Sequence, residues 1–253
     1  MKQSFVLAAA SLAGATYLAA QAGILETPPL YRGPNTDVSG VFVTPVAGIP
    51  FSATVAINSE QKLPDGTTDV KRTQALIARD SQGRIRNERR MLVTESFRGT
   101  PTLLSVHIFD PVTRLSSFYI PGSGIVRQRV LPPQPAGEPS YPGAEDLGYT
   151  TLNGMQAKGV RVTRTIPAQF SGIGKPVQVT DEFWYSEDLH MNILERHLDP
   201  RSGEQTVAIL SIQRVEPPAS LFEMPAGYKI VDVTPPPQPP QGPGGPAQVN
   251  PAR

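Results

Sequence analysis

The fold class is decided by residues 50–58, which read PFSATVAIN. Apolar residues stand at every second position from Phe51 to Ile57, with small or polar residues between them. This two-residue period is typical of a strand with one apolar face. Runs of the same kind recur at intervals of roughly 8–15 residues with turn residues between them, which is the pattern of an all-β protein. We therefore predict a large antiparallel curled sheet or half-open barrel with very little helix.

Turn residues mark where the predicted strands end. Pro64-Asp65-Gly66 is typical of a turn, because proline presets φ and glycine accepts a positive φ. Asn153-Gly154 is a strong signal for a tight hairpin. A strand is predicted over Arg84–Ser96, and Pro217–Phe222 is predicted to form one helical turn before the last strand.

The N-terminus has the pattern of an export signal. Lys2 supplies a positive charge, residues 5–20 form an apolar run, and Ala20-Gln21-Ala22 fits the small-x-small cleavage pattern. We predict cleavage after Ala22 and a periplasmic or secreted mature protein. The alternative is an uncleaved membrane anchor, but the run is shorter than the ~20 apolar residues of a typical span. No second run approaches that length, so the mature chain is predicted to have no transmembrane span.

The remainder divides by composition. Residues 23–49 are predicted to be an irregular lead-in with one short strand at Val41-Val43, and residues 50–233 a single antiparallel β domain. A Pro-rich crossover at 132–146 is too poor in backbone donors to lie inside a sheet. Residues 234–253 form a Pro/Gly-rich tail that is predicted to be disordered.

Charge and cysteine content exclude several classes of function. The chain has 253 residues with a formal net charge of +1, whereas a dedicated nucleic-acid-binding domain is normally strongly basic. The absence of cysteine excludes disulfides, thiolate metal sites, a thiol nucleophile and acylation at a lipobox cysteine. A cysteine-free chain also suits export to an oxidising compartment.

Four short segments carry a family resemblance. They are Asn153-Gly154-Met155, Asp181–Ser186 (DEFWYS), Asp199–Gly203 (DPRSG) and Pro218–Tyr228 (PASLFEMPAGY). Through them, residues 150–233 resemble the LolA-like superfamily of periplasmic lipoprotein carriers and their relatives, the RseB/MucB-type regulators.

The resemblance implies a half-open antiparallel barrel whose concave face holds an acyl chain or a lipidated peptide. Carriers of that family cover the open side with helices, and this chain offers almost none. The chain is also similar to secreted all-β bacterial proteins of unknown function that share its Arg79–Arg84 turn and its Trp184-Tyr185-Ser186 strand.

Apolar residues of the C-terminal half are the candidate ligand contacts. Alternation predicts that Phe183 and Tyr185 share a face with the core residue Val179, while Trp184 lies on the opposite, more polar face. Both faces of the strand around Leu210 are predicted to be covered. The candidate ligand-binding residues are Phe183, Trp184, Tyr185, Leu210 and Phe222.

A basic hairpin is the sharpest charge feature. Guanidinium groups match phosphates and carboxylates, so these arginines are candidate contacts for acidic lipid headgroups, peptidoglycan or an envelope protein. A charged edge hairpin that resists aggregation would show the same pattern. The candidate partner-binding residues are Arg79, Arg84, Arg86, Arg89 and Arg90.

No catalytic or metal-binding constellation emerges from the sequence. His190 and His197 are predicted to lie on one strand and to point to opposite faces, and His107 to be exposed or hydrogen-bonded. Asp181 and Glu182 are neighbours that point opposite ways, and both are predicted to be solvated. We therefore predict no catalytic residue, no metal and no cofactor.

Two hypotheses of function remain. The first is an exported, non-enzymatic cell-envelope protein that binds a lipid, an acyl chain or a lipoprotein on the concave face of the sheet. The alternative is an interaction, sensing or structural protein without a small-molecule ligand, which contacts its partner through the basic hairpin or the Pro-rich tail.

Overall fold

The computed structural model describes residues 41–63, 65–133 and 139–236. Strands make up 56% of it and helix about 4%, so the all-β prediction is confirmed. The strands are β1 Phe51–Lys62, β2 Thr68–Arg79, β3 Ile85–Arg90, β4 Val93–Thr94, β5 Leu103–Asp110, β6 Leu115–Tyr119, β7 Ile125–Val130, β8 Glu145–Leu152, β9 Met155–Ile166, β10 Val177–Ser186, β11 Met191–Asp199, β12 Gly203–Gln213 and β13 Lys229–Asp232. A four-residue helix, α1, spans Ala168–Ser171. The predicted signal peptide, residues 23–40 of the lead-in and most of the tail lie outside the described residues.

All the strands belong to one large sheet that is not closed into a barrel. The strand order is β13-β7-β6-β5-β3-β2-β1-β12-β11-β10-β9-β8, and β4 pairs with β2 beside this path. Antiparallel pairing was predicted throughout, and one pair is an exception, because β13 runs parallel to β7. The sheet is therefore mixed at one edge.

The basic hairpin lies in the middle of this sheet. β2 and β3 have β1 on one side and β5 on the other, so the alternative interpretation as a charged edge hairpin is wrong. The strand predicted over Arg84–Ser96 is also interrupted, since β3 ends at Arg90 after a register shift and only Val93–Thr94 pairs again with β2. A central position gives the hairpin two faces to cover.

The two faces carry different hydrophobic cores. Ile77 belongs to the first core and its neighbour Ala78 to the second, and successive residues of a strand point to opposite faces. The first core includes Val41, Val43, Phe51, Val55, Ile57, Ile85, Ile193, Val207 and Ile209. The second core is formed by Ala78, Val106, Ile108, Tyr119, Val126 and Phe222.

One segment covers each face. The N-terminal strap, residues 41–50, contributes Val41 and Val43 to the first core and pairs with the start of β11 through the bridge Val43↔Met191. The C-terminal strap, residues 217–233, places Phe222 in the second core and then forms β13. The predicted helical turn in this second strap is present as a 3-10 turn at Ala219–Phe222.

Local turn chemistry agrees with the sequence at the hairpin between β8 and β9. Asn153 and Gly154 have φ values of 49° and 77°, as a two-residue type I′ turn requires. β8 begins at Glu145, so the last two residues of the predicted crossover are strand. Among the described residues, no helix is both long and apolar enough to cross a membrane.

Candidate functional site

Arg79 is the last residue of β2 and is fully buried. Its Nη1 donates to the carbonyl oxygen of Thr44 at 2.8 Å, its Nε to that of Ile49 at 3.0 Å and its Nη2 to that of Leu189 at 2.8 Å. The guanidinium also lies 5.0 Å from the ring centre of Phe51. Burial lowers the pKa of Arg79 to about 10. Two of the three acceptors belong to the N-terminal strap, so Arg79 holds that strap on the sheet.

Arg86 holds the C-terminal strap from the opposite face. Its Nη1 donates to the carbonyl oxygen of Leu221 at 2.9 Å, and its Nη2 to Glu88 Oε1 at 2.9 Å. Arg84 lies 5.1 Å from the ring centre of Phe222 and forms an ion pair with Asp80. Both straps are thus fastened by arginines of one hairpin.

This geometry corrects the prediction of a basic partner surface. Arg79 and Arg86 are buried and bonded within the chain, so a partner cannot reach their guanidinium groups. Arg84 and Arg90 are partly exposed and form ion pairs with Asp80 and Glu88, and Arg89 is exposed. Partner contact stays a prediction for these last three arginines.

A buried polar pair on β10 and β11 was not foreseen. Asp181 is 2% exposed, and its Oδ1 lies 2.6 Å from His197 Nδ1 on the neighbouring strand. The prediction of a solvated Asp181 is wrong. The residue lies two positions from the core residues Val179 and Phe183 on either side, and therefore shares their buried face. His190 lies in the turn before β11 with φ 49°, so the two histidines are not on one strand as predicted.

Glu195 is buried next to this pair. Its Oε1 accepts the backbone N–H of Phe42 at 2.9 Å and the side-chain amide of Asn192 at 2.8 Å. Burial raises the pKa of Glu195 to about 7, with a smaller contribution from the charge of Asp181. Glu195 therefore fixes the N-terminal strap from a second point and titrates near neutral pH.

The face that carries Phe183 and Tyr185 is filled by other side chains. The ring of Tyr141 stacks on Phe183 with centroids 4.3 Å apart and planes 10° apart. The Tyr185 hydroxyl lies 3.2 Å from Thr44 Oγ1 in a hydrogen bond to the N-terminal strap. Both aromatic residues are buried, so neither presents a free surface to an incoming ligand.

Trp184 packs against the margin of the first core, and its backbone position also begins an apolar row across the neighbouring strands. Cross-strand partners share a face, and the register aligns Trp184 with Leu194, Leu194 with Ala208, and Ala208 with Ala56. All four are half-buried. We call Trp184, Leu194, Ala208 and Ala56 the apolar row.

Gly159 sets how Trp184 lies on the sheet. A Cβ atom at Gly159 would come within 2.5–2.7 Å of three atoms of the six-membered indole ring. Only glycine therefore lets the ring lie flat on the neighbouring strand β9. Trp184 therefore packs on a neighbouring strand.

The five candidate ligand contacts do not come together. Phe183 is buried under Tyr141 and Tyr185 is buried against the N-terminal strap, whereas Trp184 lies in the apolar row and packs against the first core. Leu210 is 49% exposed at the β1–β12 register shift rather than covered as predicted. Phe222 lies in the second core. A single ligand site made of all five is thus excluded by the fold.

Neither His107 nor a cluster of metal-binding side chains forms a reactive site in the described part of the chain. His107 is buried with its Nε2 2.8 Å from Ser116 Oγ, and burial together with the charge of Arg129 lowers its pKa to about 3. No three His, Asp or Glu side chains converge as a metal site within the part of the chain that the structure describes.

The sequence contained a signal for the buried polar residues. Asp181 stands in the same two-residue period as Val177, Val179 and Phe183 and so shares their face. Glu195 and His197 follow Ile193 in the same period. A charged residue in phase with the apolar face of a strand is a candidate for a buried, paired group.

No protein-family model matches this sequence, and no curated protein matches it. Several solved structures are similar. An uncharacterized conserved protein from Thermus thermophilus has a TM-score of 0.40 and 12% identity, covering 73% of this chain and 90% of that one. MucB in its complex with MucA from Pseudomonas aeruginosa has a TM-score of 0.36 and 12% identity, with 73% of this chain and 58% of that one covered. A LolA superfamily protein from Nitrosomonas europaea has a TM-score of 0.30 and 13% identity, with 80% of this chain and 97% of that one covered.

The resemblance to LolA-like proteins and to MucB that the sequence predicts is therefore found again as a likeness between structures. At identities of 12–13%, this likeness describes the fold and does not establish a function for this chain.

Proposed function

We propose that this protein is an exported, non-enzymatic component of the cell envelope that binds an apolar ligand, an acyl chain or a lipidated peptide, against its sheet. The observation that carries the proposal is the apolar row, which crosses four adjacent strands and is only half-buried. We therefore expect the ligand along the half-buried apolar row, where Trp184 borders the first core, rather than at the buried Phe183.

The dimensions and chemistry of the row suit an alkyl chain. Neighbouring strands are ~4.8 Å apart, so four strands span about 14 Å, comparable to an extended acyl chain of a dozen carbons. Ala208 and Ala56 are small and leave a shallow trough, and Trp184 and Leu194 form its larger end. Charged residues border the row, since Glu182 and Arg196 occupy the next register position on the same face.

A fluorescence titration tests this site directly. Trp184 is the only tryptophan of the chain and belongs to the row, so it reports on occupancy without any label. Titration with a brominated fatty acid, dibromostearate, is expected to quench its emission saturably, because bromine quenches indole on contact. Ala208→Phe fills the trough and is expected to raise the apparent Kd by roughly tenfold or more.

Thr151→Phe is the matched control, because it adds the same ring on the edge strand β8, outside the row, at an exposed position opposite Gln156 and on the face away from Gly159. It is expected to leave the titration unchanged. Equal effects of the two variants, or no saturable quenching of the unaltered protein, would overturn the proposal. Independently of the titration, solvent extraction and mass spectrometry of the protein purified from a periplasm would identify any natural ligand. N-terminal sequencing of the same material would test cleavage after Ala22.

A further inference from the structure

The loop between β9 and β10, residues 167–176, exposes two large apolar side chains. Phe170 is 71% exposed and Ile173 is 60% exposed. Scattered single apolar residues on a surface need no explanation, but two on one short loop form a patch. We call residues 167–176 the apolar loop.

The apolar loop has a rigid base. Ser171 is buried, and its Oγ donates to the carbonyl oxygen of Ala168 at 2.9 Å and accepts the N–H of Ile173 at 3.2 Å. Arg201, in the turn between β11 and β12, donates to the carbonyl oxygen of Ser171 at 3.3 Å. Its Nε and Nη2 also donate to the carboxylate of Asp199. The two apolar side chains thus project from a fixed scaffold, which lowers the entropic cost of using them in binding.

Other exposed apolar residues lie at the same end of the sheet. The turn 199–203 contacts the apolar loop through Arg201, and Gly203 packs against the backbone of Glu60 close to the turn 62–68. Leu198 and Leu63, which border these two turns, are 38% and 37% exposed. The apolar character therefore extends beyond one loop.

The apolar loop itself carries a positive charge and no negative one. Its one charged residue is Lys175, whereas the nearby Arg164 and Arg201 are paired with Asp181 and Asp199. Lys175 belongs to the apolar loop and is exposed. Protruding apolar side chains next to a basic residue are the combination by which peripheral proteins enter the headgroup region of a bilayer.

We propose that the apolar loop is a membrane-contacting element, in which Phe170 and Ile173 enter the interfacial region of an anionic bilayer and Lys175 contacts the phosphate headgroups. The inference is independent of the ligand proposed above, because the apolar loop and the apolar row share no residue. A protein partner is the competing occupant. It is less favoured, because a patch of two side chains is much smaller than the ~800 Å² per partner that a stable protein–protein interface buries.

Vesicle binding tests the proposal. The protein, purified after its own N-terminal processing, is sedimented with vesicles of phosphatidylethanolamine and phosphatidylglycerol at a three-to-one ratio. The double variant Phe170→Ser/Ile173→Ser is expected to lower the partition coefficient by roughly tenfold or more, because binding follows the apolar area buried in the interface. Vesicles of phosphatidylcholine alone are expected to bind the unaltered protein more weakly.

Val112→Ser is the matched control. Val112 is 80% exposed, and its turn follows β5 at the opposite end of the sheet. It is expected to bind as the unaltered protein does. Equal binding by the double variant, or equal loss in Val112→Ser, would overturn the proposal.

A second measurement locates the contact. Because the chain has no cysteine, Ile173→Cys carries a single environment-sensitive fluorophore. Its emission is expected to shift to the blue on adding the anionic vesicles, and that of labelled Val112→Cys is not. Unshifted emission at position 173 would contradict membrane contact. If an envelope protein binds the unaltered chain but not the double variant, and vesicles bind neither, the apolar loop contacts a protein partner instead of a membrane.

Discussion

The two straps cover opposite faces of one sheet and are held by different forces. The N-terminal strap places Val41 and Val43 in the first core and is also tied through buried polar groups, namely two hydrogen bonds of Arg79 and one accepted by Glu195. The C-terminal strap contributes an apolar residue, Phe222, to its core, and Arg86 adds one hydrogen bond. We therefore expect the first strap to depend on charge and pH, and the second on packing.

The largest effect is expected for Arg79→Ala. The substitution leaves the buried carbonyl groups of Thr44, Ile49 and Leu189 without their donor, so we expect a loss of about 5 kcal/mol in the free energy of unfolding. Urea denaturation measures it, with the exposed Arg89→Ala as the control, for which about 0.5 kcal/mol or less is expected. A loss at Arg79 no larger than that of the control would contradict the assignment.

Phe222→Ala breaks the other strap. Truncation of a buried phenylalanine leaves a cavity in the second core and should cost about 4 kcal/mol. Hydrogen exchange separates the two variants. Phe222→Ala should accelerate exchange at the Lys229 amide, which donates to Gly124, and Arg79→Ala at the Thr44 amide, which donates to His190. Faster exchange of both amides in either variant would mean that the straps are not independent.

The pH dependence should distinguish the straps further. The pKa of Glu195 is raised to about 7 in the fold, from an ordinary 4.5, so its contribution to stability is complete below about pH 4.5 and is lost as the pH rises to about 7. The loss reaches up to about 3 kcal/mol. Glu195→Gln keeps an oxygen for Phe42 and removes the charge, so its stability relative to the unaltered protein should increase across that window.

His107 gives the opposite slope in both proteins, since burial lowers its pKa to about 3, and it cancels in the difference. Phe222→Leu serves as the control and should keep the slope of the unaltered protein. A constant difference between Glu195→Gln and the unaltered protein from pH 4.5 to 8 would count against a titrating Glu195.

The smallest effect is expected for Tyr228→Phe. The Tyr228 hydroxyl accepts the backbone N–H of Gly122 at 2.6 Å at an exposed position, and the ring meets Tyr119 edge-on at 5.9 Å. Removal of the hydroxyl alone should cost about 1 kcal/mol. Thermal unfolding measures it, and a cost comparable to that of Phe222→Ala would show that this hydrogen bond is as important as the packing.

Local features of the fold could be predicted from the sequence, because they depend on neighbouring residues. The alternation from Phe51 to Ile57, the Asn153-Gly154 turn and the helical turn ending at Phe222 are all present in the structure. Each follows from strand periodicity or turn chemistry within a few residues.

Features that depend on long-range pairing could not be predicted. The position of Asp181 on a core face follows from alternation, but its contact with His197 requires the register of β10 on β11. The central position of the arginine hairpin could not be predicted, because local sequence does not specify strand order. Arg79 binds the N-terminal strap and Arg86 the C-terminal strap, on opposite faces of the sheet, because β1 and β5 flank the hairpin.

The attachment of both straps to one hairpin has a consequence for the order of folding. Arg79 meets Leu189 110 residues further along the chain, and Arg86 meets Leu221 135 residues further along. Contacts this distant in sequence form slowly, so we expect the guanidinium groups to stay hydrated until the later strands have formed. In that interval the charges discourage pairing of β2 and β3 with other molecules. The residues that finally lock the structure thus also protect its centre while it is incomplete.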